Sequence, residues 1–178
     1  MAQCRLVKCD LRGGRLSELA TQGCTFEECD FGGANLSSSK HRGSAFLNCD
    51  FSGADLFGCD LEHCRLVGSV FANTVLSASR IRGGDWCYAS LRMQDLSGFD
   101  MREMKLEGAD LYACSLKEAD LRDANLKTAN LQHAKLTKAD LRGADLSGVD
   151  FRTVDVTGAR MTVDQVIYFA MSYGIVLE

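Results

Sequence analysis

Apolar residues return at every fifth position. Between Ala119 and Gly148 the chain reads Ala, then Asp, Asn or Lys, then Leu, then two variable residues, six times over, placing Leu121, Leu126, Leu131, Leu136, Leu141 and Leu146 in one frame. The frame runs back without an insertion to Leu6 and forward to Met161, and of its 32 central slots only Thr21 and His41 are not apolar. An amphipathic helix needs apolar residues at i, i+3, i+4 and i+7, and a half-buried strand needs strict alternation. A step of five turns a helical residue through about 500°, so such a column would wander around a helix and never form a face. The period predicts a solenoid instead, with one short straight segment and one corner per repeat. Central side chains point to the axis, and neighbouring coils pair each other's backbone.

The A-(D/N)-L-x-x pattern over about residues 4–161 resembles the pentapeptide-repeat family. The resemblance implies an all-β fold, a right-handed quadrilateral β-helix with four repeats, hence 20 residues, per coil. Eight such coils at about 4.8 Å each give a rod about 38 Å long. Folded at 20, one interior column holds Leu11, Phe31, Phe51, Phe71, Leu91, Leu111, Leu131 and Phe151, and a second holds Leu6, Phe26, Phe46, Leu66, Trp86, Leu106, Leu126 and Leu146. Phe26, Phe31, Phe46, Phe51, Phe71 and Trp86 are therefore expected to stack coil on coil. At roughly 1.5–3 kcal/mol per buried side chain, one core suffices for the whole chain. The expected division is a β-helix over 1–161 and a terminal unit over 162–178.

After Met161 the period stops. Thr162, with Gln165 three residues on, has the form of a capping box, and Val166, Ile167, Phe169, Ala170, Met171 and Tyr173 predict a short apolar helix that Gly174 closes. Ile175 to Glu178 predicts a short strand. The last coil of a solenoid is an open edge that must be covered. A helix apolar on more than one side can cap that edge and still meet a second copy, so Val163, Val166, Ile167, Phe169, Ala170, Met171 and Tyr173 are the expected dimer interface.

Nine cysteines raise metal and disulfide chemistry, but eight of them lie two residues before a central slot, where the C-terminal half has Ala109, Ala119, Ala124 and Ala129. That slot takes a small buried side chain, and free cysteine behaves as one. Cys87 alone is out of phase. No signal peptide opens the chain, so reduced thiols and a cytoplasmic location are expected. Thr21 and His41 are 20 residues apart and stack as a polar defect in the axis. No nucleophile, base and orienting group cluster around His41, and no phosphate-binding, dinucleotide or metalloprotease motif is present, so neither an enzyme nor a cofactor is expected. A net charge of −4 with no dominant basic patch argues against nucleic acid as a direct ligand. Nothing in the sequence suggests a membrane segment.

Aspartate fills the position before the central residue in 14 of the 32 repeats. Asp60, Asp100, Asp120 and Asp140 fall in one column, and Asp110 and Asp150 in the column that begins with Asp10, Asp30 and Asp50. Such columns are candidates for a line of negative charge that binds a partner, although aspartate here also bonds the corner backbone. The stretches "SSKHRGSAFLNCDF" (Ser38 to Phe51) and "VDQVIYFAMSYG" (Val163 to Gly174) narrow the resemblance to the MfpA-like and Qnr-like quinolone-resistance group. That resemblance implies a rod-shaped homodimer joined at its C-terminal ends, which imitates duplex DNA. Such proteins bind DNA gyrase, and sometimes topoisomerase IV, and protect it from fluoroquinolones or natural-product poisons, in acquired resistance or in self-resistance of a producer. The alternative is a structural or scaffolding solenoid that binds some other protein.

Overall fold

The computed structural model describes residues 1–176. Its regular elements are seven three-residue strands and one helix: β1 (Arg5–Val7), β2 (Ala20–Gln22), β3 (Thr25–Glu27), β4 (Lys40–Arg42), β5 (Ala45–Leu47), β6 (Asp60–Glu62), β7 (Arg80–Arg82) and α1 (Val166–Ser172). The strands pair in parallel, as β1-β3-β5 on one side and β2-β4-β6-β7 on another. Every pairing joins residues 20 apart. One ladder climbs through Arg5, Thr25, Ala45, Arg65, Asp85, Lys105, Asn125 and Asp145, which sets eight levels. The protein is a four-sided β-solenoid, and its period of five is one side of the square.

Inside, identical side chains lie on one another. Phe26 stacks on Phe46 with ring centroids 4.8 Å apart, Phe31 on Phe51 at 4.8 Å, Phe51 on Phe71 at 5.1 Å, and Phe71 meets Trp86 at 5.3 Å. Leucines from Leu91 to Leu146 fill the upper levels and are fully buried.

The corners come in two kinds. Most close as tight turns, in which the residue three beyond the central one donates its N–H back to the central carbonyl, as Gly14 does to Leu11 at 3.0 Å. At Leu6, Thr21, Phe26, His41, Phe46, Leu61 and Ile81, the centres of the seven strands, that bond is missing among the described residues. The residues three beyond are Cys9, Cys24, Cys29, Ser44, Cys49, Cys64 and Gly84. Thiols and hydroxyls here repair the lost main-chain bond. Cys29 donates to the Leu6 carbonyl (3.6 Å), Cys49 to that of Phe26 (3.5 Å), Cys64 to that of His41 (3.2 Å), and Ser69 to that of Phe46 (2.9 Å). Ser69 Oγ also accepts the orphaned Cys49 N–H at 3.0 Å. Cysteine is therefore more than a small filler in the N-terminal half, because alanine has nothing to donate. Gly84, with φ of 106°, has no room for a Cβ, which would strike the Cys64 carbonyl.

Besides a gap between Asn130 and Asp150 nearer the C-terminal end, the ladder is interrupted in mid-rod, among the described residues. Phe71 donates to Ser90 (2.9 Å) and Trp86 to Lys105 (2.8 Å). Between them, Leu76, Ala78 and Ile81 make no such bond to the next coil, and the pairings Val75 with Asp95 and Arg80 with Asp100 are absent among the described residues. The cause lies in three consecutive small slots. Gln94, Phe99 and Met104 stand where the coils below and above have Thr74, Ser79 and Gly84, and Cys114, Ala119 and Ala124, and their bulk holds the coils apart.

At the C-terminal end α1 begins three residues later than the capping box places it. Thr162 donates its N–H to Gln165 Oε1 at 2.8 Å, but its hydroxyl points to the same oxygen (3.2 Å) and leaves the Gln165 N–H to a main-chain turn bond. Gln165 Nε2 is drawn instead to the open edge of the solenoid, donating to the carbonyls of Leu141 (2.6 Å) and Ala144 (2.8 Å). The helix stops as the sequence indicates: Gly174 at φ 74° donates to Met171, and Ile175 to Ala170, the double bond of a glycine-terminated helix. Ile175 and Val176 form no strand, and the rest of that expected segment, 177–178, lies outside the described residues.

Candidate functional site

Every aspartate of the slot before the central residue but Asp60 sits just before a corner and accepts the N–H two residues on, which is why the repeat favours it. Asp50 takes the Ser52 N–H at 2.8 Å, Asp55 that of Phe57 at 2.9 Å, and Asp145 that of Ser147 at 2.9 Å. The columns are in register: Asp100 pairs with Asp120 and Asp120 with Asp140, while Asp10, Asp30 and Asp50 form a second line.

Register does not make those columns bare charge. Arg102, Arg122 and Arg142 fold back on Asp100, Asp120 and Asp140 with two side-chain bonds each, at 2.6–2.9 Å. Arg102 also reaches Asp120 of the next coil at 3.6 Å, which links those two pairs into a run of alternating sign. These hydrogen bonds hold the three carboxyls below their ordinary range, that of Asp140 at about 2. Asp150 is bound in the same way by Arg152, and Asp110 by Arg92 at 2.9 Å. Asp60 lies between Lys40 and Arg80 in the ladder, and its Oδ1 has no hydrogen-bond partner. Five of the six candidate aspartates thus carry an arginine, and the expected line of negative charge is compensated along its length. The signal is in the sequence as the spacing Asp-x-Arg, in Asp100-Met101-Arg102 and Asp120-Leu121-Arg122. The carboxylates without an arginine lie elsewhere, chiefly Asp55, Asp95 and Asp155 on a neighbouring side, where hydroxyls and backbone N–H groups bond them.

The polar defect in the axis is a closed chain of hydrogen bonds. Ser44 Oγ lies 2.9 Å from Thr21 Oγ1, Thr21 Oγ1 2.7 Å from His41 Nδ1, His41 Nε2 3.0 Å from Ser39 Oγ, and Ser39 Oγ 3.2 Å from the Cys59 thiol. Every member is buried, and Phe46 covers the imidazole edge-on at 5.1 Å. Burial pushes His41 down to about 4 and Cys59 up to about 11, so neither is charged at neutral pH. This network fills a hole in the axis with satisfied polar groups.

Exposed apolar side chains gather at the C-terminal end. Val163 is 88% exposed and Met171 60%, and Val166, Ile167 and Tyr173 are also exposed. Phe169 and Ala170 are only partly so, and Phe169 packs on Phe151 at 5.7 Å. Of the expected interface, Phe169 packs against the core, Ala170 is half-buried and the other five are exposed. No helix among the described residues is long and apolar enough to cross a membrane.

A four-sided solenoid of five-residue sides, with small, acidic and apolar slots in fixed order, defines one class of protein. The pentapeptide-repeat family model matches eight copies over residues 4–40, 29–56, 54–85, 95–127 and 124–162, and the chain belongs to that family. The matches pass over 86–94, beside the interrupted ladder. Among solved structures the chain is similar to full-length QnrB1, a plasmid-mediated fluoroquinolone resistance protein, at 23% identity over 98% of this chain and 99% of that one, with a TM-score of 0.73. It is also similar to HetL, a pentapeptide-repeat protein involved in heterocyst differentiation regulation from the cyanobacterium Nostoc sp. strain PCC 7120, at 23% identity over 90% and 88% of the two chains, with a TM-score of 0.52. No curated protein sequence matches it.

Proposed function

We propose that the protein is a non-catalytic, DNA-like rod that binds DNA gyrase and shields it from drugs that trap cleaved DNA. The observation that carries this reading is the apolar C-terminal end set on a rod that presents outward carboxylates on every level except the fourth, residues 65–84. Two rods joined there would span about 76 Å, comparable with some 22 base pairs at about 3.4 Å each. The similarity to QnrB1 along nearly the whole chain supports the same reading. A basic DNA-binding surface on the enzyme would meet the unpaired Asp55, Asp95 and Asp155 first, and would have to compete with Arg102, Arg122 and Arg142 for the rest.

The arginine ladder favours a second reading, a scaffold for some other protein, because a compensated face is a poor copy of a phosphate backbone. Supercoiling and cleavage assays with purified gyrase, with and without a fluoroquinolone, separate the two. The first reading expects fewer drug-stabilised cleavage complexes or inhibited supercoiling as protein is added. Unchanged cleavage at saturating, folded protein would leave the scaffold.

A further inference from the structure

The interrupted ladder in mid-rod leaves main-chain groups whose counterparts in the coils directly below and above are paired. Leu76, Ala78 and Ile81 present N–H groups along the rod axis toward the next coil, and the carbonyls of Asp95, Ser97 and Asp100 face them without bonding them. Two open hollows of about 440 and 380 Å³ lie on this seam and share Ala78, Ser97 and Phe99. The interior stays sealed behind it, since Leu76, Ile81, Leu96 and Met101 are buried. Arg80 and Arg82 of β7 flank the seam, are exposed, and make no ion pair among the described residues, whereas Asp100 opposite is already held by Arg102. Exposed Val75, and Phe57 one coil away (52% exposed), add apolar surface at the same edge.

Unpaired donors and acceptors in strand-like order, two free guanidiniums and an apolar margin together fit one kind of ligand. We propose that the seam takes an extended acidic peptide segment of a partner protein. The segment's main chain would bond the free groups of Leu76, Ala78 and Ile81, and a carboxylate would pair with Arg80 or Arg82. Gln94, Phe99 and Met104 act as the wedges that keep the seam open. This holds whether or not the partner is a topoisomerase.

The test pans a random dodecapeptide display library against the full chain and follows backbone amide exchange of the free and peptide-bound protein. In the free protein the amides of Leu76, Ala78 and Ile81 should exchange faster than their counterparts Leu56, Gly58 and Leu61 one coil below. Recovered peptides should carry Asp or Glu beside apolar residues and slow those same amides. They should lose at least about tenfold in affinity against Arg80→Glu/Arg82→Glu. They should also lose binding to the variant Gln94→Ala/Phe99→Ala/Met104→Ala, in which the small slots are restored and the ladder closes. Slow exchange in the free protein would overturn the proposal, as would fast exchange with no peptide captured, which would mean water alone fills the seam. Capture that neither variant weakens would overturn it too.

Discussion

Thr21 Oγ1 lies 2.7 Å from His41 Nδ1, one coil apart in the axis of the rod, and both side chains are buried. With Ser39 on the other ring nitrogen, the imidazole is satisfied as a neutral group, and a second proton would place an uncompensated charge in the core.

That arrangement sets a pH dependence. His41 has its folded pKa depressed to about 4 by burial, below the ordinary value near 6.5. The unfolded chain therefore binds the extra proton first, so this contribution to stability is complete above about pH 6.5 and is lost as pH falls toward 4, roughly 3 kcal/mol in all. Thermal unfolding of the native protein and of His41→Leu across that window should show the slope in the first and not in the second. Equal slopes would place the titrating group elsewhere.

Phe51 is held between Phe31 and Phe71 at 4.8 and 5.1 Å. Phe51→Ala should cost about 3–5 kcal/mol by opening a cavity that the coils above and below cannot close. Denaturant unfolding monitors it directly. An unchanged midpoint would contradict the stack.

Gln165 bridges the last coil to α1. Gln165→Ala leaves the Leu141 and Ala144 carbonyls unpaired and should cost about 1–3 kcal/mol. Because the loss is local, amide exchange should quicken in α1 and the final coil while the phenylalanine-filled levels keep their protection.

Ile167 and Met171 are exposed on α1. Ile167→Lys and Met171→Lys should leave the far-ultraviolet spectrum and melting temperature nearly unchanged, yet halve the mass found by sedimentation if that end joins two copies. A native protein that sediments as a monomer would remove the dimer from the proposed function.

The thiols should react in order of burial. Cys4, Cys9 and Cys87 are partly exposed, whereas Cys24, Cys29, Cys49, Cys59, Cys64 and Cys114 are buried, with burial pushing Cys49, Cys64 and Cys114 up to about 12. An alkylating reagent at neutral pH should label the first group in the native state and reach the second only on unfolding. Early labelling of Cys49 would mean the N-terminal coils open locally.

The sequence carries the solenoid in plain sight because one slot in five faces the axis, and a residue such as Leu126 has no other place to go. The cysteines are harder to read. Their phase shows that Cys29 and Cys49 are interior, but only the conformation of the corner below reveals that each thiol donates to a carbonyl 23 residues earlier. Charge is misread for a related reason. A column of aspartates is visible by counting in twenties, whereas its neutralisation depends on side-chain geometry two residues along, as between Asp140 and Arg142. The seam lies between these cases, since Gln94, Phe99 and Met104 break the small-slot rule three times running and could have been noticed.

A register of 20 residues per coil makes the length of this rod quantised. Deleting one repeat of five keeps every leucine in the axis but turns all later residues by a quarter of a circle, so the Asp100–Asp120–Asp140 line would jump sides between one coil and the next. Only insertions or deletions of 20 residues preserve both core and faces. Natural variation in length, if it spares the outer surface, should therefore come in whole coils. The rotational setting of α1 relative to the seam then records how many repeats separate them.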